Sequence, residues 1–163
     1  MTDPEFTHLN ERGEVHMVDV GDKEVTTRTA IAEGTVRMPP ELVEKFFSGG
    51  LGKGDAAAVA RVAGIMGAKK TAELIPLCHP IDLTSVEISL EPGGHGVEIT
   101  ATVSTRSRTG VEMEALTAVS TAALTVYDMV KGLERGVTIE SVRLRKKEGG
   151  RTGTWERRPE VVD

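Results

Sequence analysis

The chain has 163 residues, 39% of them apolar, and 18 glycines, the proportions of one folded domain with a single core rather than of a disordered chain or a membrane protein. A net charge of −5 and an aromatic content of 3% exclude an overall basic field for nucleic acid and base stacking on several rings. The one cysteine, Cys78, cannot form an internal disulfide and has no CxxC or HxxxH companion, which points to a reducing, cytoplasmic compartment without a zinc site.

Residues 1–22 are polar and irregular in pattern, and no run approaches the roughly 18 apolar residues of a membrane span. Residues 1–12 are expected to be a flexible arm, 13–157 a single catalytic domain, and 158–163 a tail. From Lys23 to Met38 the chain is rich in β-branched residues and predicts a long strand. Pro39-Pro40 stops it and presets a short helix, Glu41 to Phe47, ended by Ser48-Gly49-Gly50. Gly49 to Gly54 form a glycine-rich loop, and Asp55 caps a helix from Ala56 to about Lys70, with Val59, Val62, Ala63 and Met66 as its buried stripe. His79 precedes Pro80, which forces extended geometry at the histidine.

A hairpin follows, with Val86, Ile88 and Leu90 alternating against Val97, Ile99, Ala101 and Val103 across Gly93-Gly94-His95-Gly96. A long helix is predicted over Val111 to Arg135, its buried stripe made of Leu116, Val119, Ala123, Val126, Val130 and Leu133, with Gly136 just beyond its end. The last strand, Val137 to Leu144, switches its apolar face between Ile139 and Val142, which predicts a bulge or a bend. A basic, glycine-containing tail runs from Arg145 to Arg158. The order β-α-α-β-β-α-β implies an α+β, ferredoxin-like sandwich, an antiparallel sheet packed by helices.

Several residues could carry chemistry. Asp128 and Lys131 are i, i+3 neighbours on the long helix, either a surface ion pair or a lysine acid/base held by a carboxylate. Glu112 and Glu114 suit a helix start, and a carboxylate there could also accept two parallel N–H bonds from a guanine-like edge. Glu114 and Asp128 lie 14 residues apart, about 21 Å along a helix, so a site using both is easier to build across a subunit interface. Lys53 sits in a glycine-rich loop before a helix, a flexible connection or an anion site, although no Walker pattern is present. His79 stands on a segment stiffened by Pro76 and Pro80, either structural or catalytic.

Four ordered segments then become specific: Leu77-Cys78-His79-Pro80, Gly110 to Ala118 (GVEMEALTA), Tyr127-Asp128-Met129-Val130-Lys131, and Lys147 to Gly153 (KEGGRTG). Together they resemble the MoaC family, the cyclic pyranopterin monophosphate synthases of molybdenum-cofactor biosynthesis, over about Gly13 to Trp155. Departures are Ile81-Asp82 where leucine and proline are common, Val130 for cysteine, and Arg151-Thr152 for lysine and serine. The resemblance implies a ferredoxin-like subunit in a homohexamer, a trimer of dimers, with active sites at subunit interfaces. It implies a lyase that converts the small molecule 3',8-cyclo-7,8-dihydroguanosine 5'-triphosphate to cyclic pyranopterin monophosphate with release of pyrophosphate. No cofactor and no metal is expected for proton transfers and displacements without a redox step.

The resemblance further implies that Lys131 is the main general acid/base with Asp128 as its partner, and that Lys53 and His79 are catalytic or phosphate-positioning groups. Leu77, Cys78, His79, Glu112, Met113 and Glu114 would bind substrate, with Arg28 and Lys147 as triphosphate contacts. A non-catalytic nucleotide- or RNA-binding module of the same topology is the alternative, and it lacks the aromatics it would need, since none occurs from Leu83 through Ser107. A purely structural oligomer would instead make the polar stripe of the long helix an interface without chemistry.

Overall fold

The structure, a computed structural model, describes residues 8–10 and 12–158. Residues 1–7 and 11 of the expected arm, and 159–163 of the tail, lie outside the described residues. In chain order the elements are β1 (Thr26–Arg37), α1 (Pro40–Ser48), α2 (Ala56–Lys69), α3 (Thr71–Leu74), β2 (Leu83–Gly93), β3 (Gly96–Ser107), α4 (Glu112–Val130), β4 (Thr138–Glu148) and β5 (Trp155–Glu156). The strands form one antiparallel sheet in the order β2-β3-β1-β4-β5. Without the short β5 this is the split βαβ arrangement of a ferredoxin-like sandwich.

Alternation decides which sheet face meets the helices. Ala30, Ala32 and Val36 of β1, Ile88 and Leu90 of β2, and Val97, Ile99, Ala101 and Val103 of β3 are all buried, and they receive Val119, Ala122, Val126 and Val130 of α4. The expected hairpin is present, and it closes in a two-residue turn at Gly94-His95, between the paired Gly93 and Gly96. The expected bulge on β4 is present: the register against β1 shifts between the Thr35–Ser141 and Val36–Ile139 pairs, leaving Glu140 extra. A second shift leaves Arg145 extra, so the strand runs on to Glu148 rather than ending at Leu144. The basic tail is therefore partly ordered, with Trp155 and Glu156 pairing to Lys147 and Lys146.

The helix starts and stops follow local chemistry. Pro40 opens α1 and Gly49 closes it with φ +78°, a conformation that glycine adopts without Cβ strain. The Asp55 side chain accepts a hydrogen bond of 2.9 Å from the Ala58 amide and caps α2.

Two expectations about helices need correction. In α2 the residues expected in the core are on the outside: Val59, Val62 and Met66 are about half exposed, while Ala56, Ala60, Gly64, Gly67 and Ala68 are buried. The helix packs chiefly on α4 through its smallest residues, because only they let the two backbones come together. A Cβ added to Gly64 would lie 3.1 Å from the Ala118 carbonyl oxygen, and one added to Gly67 would lie 2.8 Å from Cβ of Thr121. The long helix also stops at Val130 rather than Arg135, so Leu133 lies beyond it and is exposed. Turn-type bonds from Leu133 and Glu134 to the Val130 carbonyl replace further helical turns.

Candidate functional site

The candidate residues fall into two clusters at opposite ends of α4. At its start, Leu77, Cys78 and His79 from the loop after α3 meet Glu112, Met113 and Glu114 of the first helical turn around a cavity of about 330 Å³. The helical path ends with α3 at Leu74, where Ile75 is already extended, so Leu77 to His79 stand on a loop before Pro80, and Gly110 leads the chain from β3 into α4. These two sequence motifs, more than 30 residues apart, thus line one pocket.

Glu114 is the buried charge of this pocket, only 4% exposed. Burial is the main cause that pushes its carboxyl up to about 7, the helix amide of Glu114 itself pulls the other way, and the neighbouring Glu112 charge adds a further rise. The Cys78 thiol is also raised, first by burial and then by the Glu114 charge, which makes it a weak nucleophile. Glu112 takes a different role and pairs with Lys147 at 3.3 Å. The Lys147 ammonium also donates to the Thr152 hydroxyl, 3.0 Å away.

His79 is half-buried, and its Nε2 lies 2.7 Å from the Val18 carbonyl oxygen. That carbonyl is an acceptor only, so Nε2 carries the proton and His79 donates to the N-terminal segment. Arg28 likewise spends donors on backbone: its Nε donates to the Ser107 carbonyl at 3.1 Å and a terminal nitrogen to the Arg108 carbonyl at 3.2 Å. It anchors the β3–α4 loop from below. Beside the first cavity lies a second, of about 550 Å³, where Lys23, Arg28, Arg108 and Arg151 face Asp22 and Glu24.

The second cluster lies at the other end of α4. Lys131 pairs with Asp128 at 2.6 Å, both side chains more than half exposed, and the Lys53 ammonium donates to the Asp128 backbone carbonyl at 3.1 Å. The glycine-rich loop thus brings Lys53 to the pair. The hydrogen bond and charge of Lys131 lower the Asp128 carboxyl, with Lys53 adding to the effect, and Asp128 in turn raises the Lys131 ammonium. Within this chain the lysine is therefore held in its protonated form. Fourteen residues of helix separate Asp128 from Glu114, about 21 Å, so one chain does not bring the two clusters together.

Sequence reasoning missed Val18, Val20 and Lys23, which wall the first cavity, and Arg108, which lines the second. Arg108 lies two residues before the Gly110 motif, the one signal that could have found it. The segment around Lys23 has no such mark, because only the folded chain lays it across the pocket. Among the described residues, no group of three His, Cys, Asp or Glu side chains is placed to hold a metal ion. No helix among them is long and apolar enough to cross a membrane.

Comparison with known proteins adds to this geometry. Residues 17–150 match the model of the MoaC family. The chain is 56% identical over 154 residues to a protein of Mycobacterium bovis named cyclic pyranopterin monophosphate synthase 2, covering 94% of this chain and 92% of that one. It is 57% identical over 155 residues to the cyclic pyranopterin monophosphate synthase of Thermomicrobium roseum, covering 94% and 93%. Identity to the synthase of the same name from Corynebacterium glutamicum is 55% over 150 residues, covering 92% and 96%.

Proposed function

The chain belongs to the MoaC family, and on that premise we propose that it is a cyclic pyranopterin monophosphate synthase, a lyase acting early in molybdenum-cofactor biosynthesis. It converts 3',8-cyclo-7,8-dihydroguanosine 5'-triphosphate to cyclic pyranopterin monophosphate and pyrophosphate. The observation that carries the reading is the convergence of Leu77 to His79 with Glu112 to Glu114 on one cavity with a buried carboxylate. A guanine-derived ring offers two parallel N–H groups on one edge, and the two Glu114 oxygens are suited to accept them.

Lys131 acts as the principal general acid/base and Asp128 holds it, with Lys53 beside them. A lysine with a raised pKa in an exposed pair is a poor base at neutral pH, so the reading requires a change of surroundings on assembly. Covering the pair would desolvate the ammonium and bring it near substrate phosphates and other protein charges, and the net of these sets its proton affinity. The surface around the pair supports this. Leu124, exposed, lies one turn before Asp128, and Val59, Val62 and Met66 of α2 are further exposed apolar side chains on the helix packed against α4.

In this reading the protein is a homohexamer, a trimer of dimers, and a second subunit covers that surface. The Asp128–Lys131–Lys53 cluster of one subunit then completes the Glu114 cavity of another. Arg28 acts chiefly by holding the loop before α4, and Lys147 reaches the triphosphate only by exchanging its bond to Glu112. The test is incubation of the purified, assembled protein with the cyclised dihydro-GTP, following pyrophosphate and the cyclic pyranopterin phosphate together. Absence of both from a correctly assembled sample refutes the assignment.

A further inference from the structure

The segment 18–23 has no regular secondary structure, yet it is shaped and fastened. The Gly21 amide donates to the Asp19 carboxylate at 2.7 Å, and the Lys23 amide donates to the Val20 carbonyl at 3.1 Å, so the segment turns twice on its own bonds. Two side chains from the body then grip it. His79 donates to the Val18 carbonyl at 2.7 Å, and Nε of Arg108 donates to the Lys23 carbonyl at 3.1 Å. Arg28 in turn holds the Ser107 and Arg108 carbonyls, which links the sheet to the loop and the loop to the strap.

This fastening puts Lys23 on the wall common to both cavities, where only Thr109 and Gly110 accompany it. On one side lies the Glu114 carboxylate, suited to a ring edge rich in N–H groups. On the other lies the basin in which the three arginines and Lys23 outnumber Asp22 and Glu24. Among the described residues the Lys23 ammonium has no hydrogen-bond or ion-pair partner. A nucleotide whose ring occupies the first cavity and whose phosphates occupy the second passes its first phosphate beside this lysine.

We propose that Lys23 binds the substrate phosphate nearest the ring system, and that Arg108 is a positioning residue that sets Lys23 by holding its backbone carbonyl. The proposal rests on the nucleotide-derived substrate of the preceding reading. Lys23 supplies a charge-assisted contact, whereas Arg108 acts through the strap.

The test is a double-mutant cycle in the assembled protein, read both as steady-state kinetics and as calorimetric binding of GTP, a probe that needs no turnover. Lys23→Gln is expected to raise KM, and to weaken GTP, about tenfold with kcat within about twofold. Arg108→Gln should give an effect of the same kind and no larger, with Arg108→Lys recovering part of it. The double variant should be no worse than Lys23→Gln alone. Multiplied effects in the double variant would overturn the positioning role, since Arg108 would then bind phosphate itself, and unchanged affinity in Lys23→Gln would overturn the proposal outright. If the wild type binds GTP with this pattern yet releases no pyrophosphate from the cyclised substrate, the synthase reading falls and the phosphate site stands.

Discussion

Replacing Glu114 by glutamine separates what the buried carboxylate costs the fold from what it supplies to the site. Its pKa is about 7 in the folded protein against an ordinary 4.5, so between those values the native state holds more of the proton than the unfolded chain. Stability must then fall as pH rises from 4.5 towards 7 and level off above it. At about 1.4 kcal/mol per pH unit the full displacement amounts to about 3 kcal/mol, most of which develops between pH 5 and pH 8. The side chain is 4% exposed, so little of this is lost to solvent screening. Glutamine has nearly the same shape and no charge to desolvate. The variant should therefore gain on the wild type by about 5–10 °C in Tm on moving from pH 5 to pH 8. Its activity should fall at least 100-fold, because the amide presents an N–H where the ring edge also presents one. Differential scanning calorimetry at the two pH values, on oligomers of matched size and without ligand, measures the first effect. A Tm difference that is the same at both pH values refutes the argument that burial of an ionised Glu114 burdens the fold.

Lys131→Ala should lower kcat by 100-fold or more while far-UV circular dichroism and oligomer size stay native, and activity within tenfold of wild type rules out a positioned acid/base at that residue. Inactive Glu114→Gln and Asp128→Ala proteins should regain activity when refolded together into verified mixed oligomers, whereas sites contained in one chain give none. Met66→Lys together with Val62→Asp should shift the sedimentation profile to smaller species without loss of helix content, since both side chains are exposed in the subunit; an unchanged profile places the interface elsewhere. Gly67→Ala should destabilise by about 1–3 kcal/mol, because a Cβ 2.8 Å from Cβ of Thr121 forces the α2–α4 contact apart by more than helix propensity returns. Chemical denaturation reads the sign directly.

Much of the architecture is written locally. The alternation from Val86 to Val103 specifies two strands and the face each buries, whatever they pack against. Pro40 and Gly49 set the limits of α1 through φ restrictions, the Asp55 side chain opens α2 with one hydrogen bond, and the change of apolar phase between Ile139 and Val142 marks the bulge at Glu140. The motifs at Leu77–His79, Glu112–Glu114 and Asp128–Lys131 likewise name the candidate chemistry before any fold is known.

What the sequence left open concerns which surfaces meet. Helix α2 offers a face of Val59, Val62 and Met66 and another of Ala60, Gly64 and Gly67, and hydrophobicity favours burying the first. The folded chain buries the second against α4, because two helix backbones approach closely only where side chains are small, and this leaves the larger apolar groups outward. The two possible roles of Glu114 were likewise indistinguishable by spacing; its burial, set by loops from elsewhere in the chain, makes it the pocket's charge. The strap carrying Lys23 is the extreme case. Its pattern is that of a loose polar segment, and its place over the cavity comes from backbone carbonyls gripped by His79 and Arg108. Residue types along the chain do not encode which distant side chain will hold a carbonyl, and that contact exists only once the sheet, the β3–α4 loop and the His79 segment have come together.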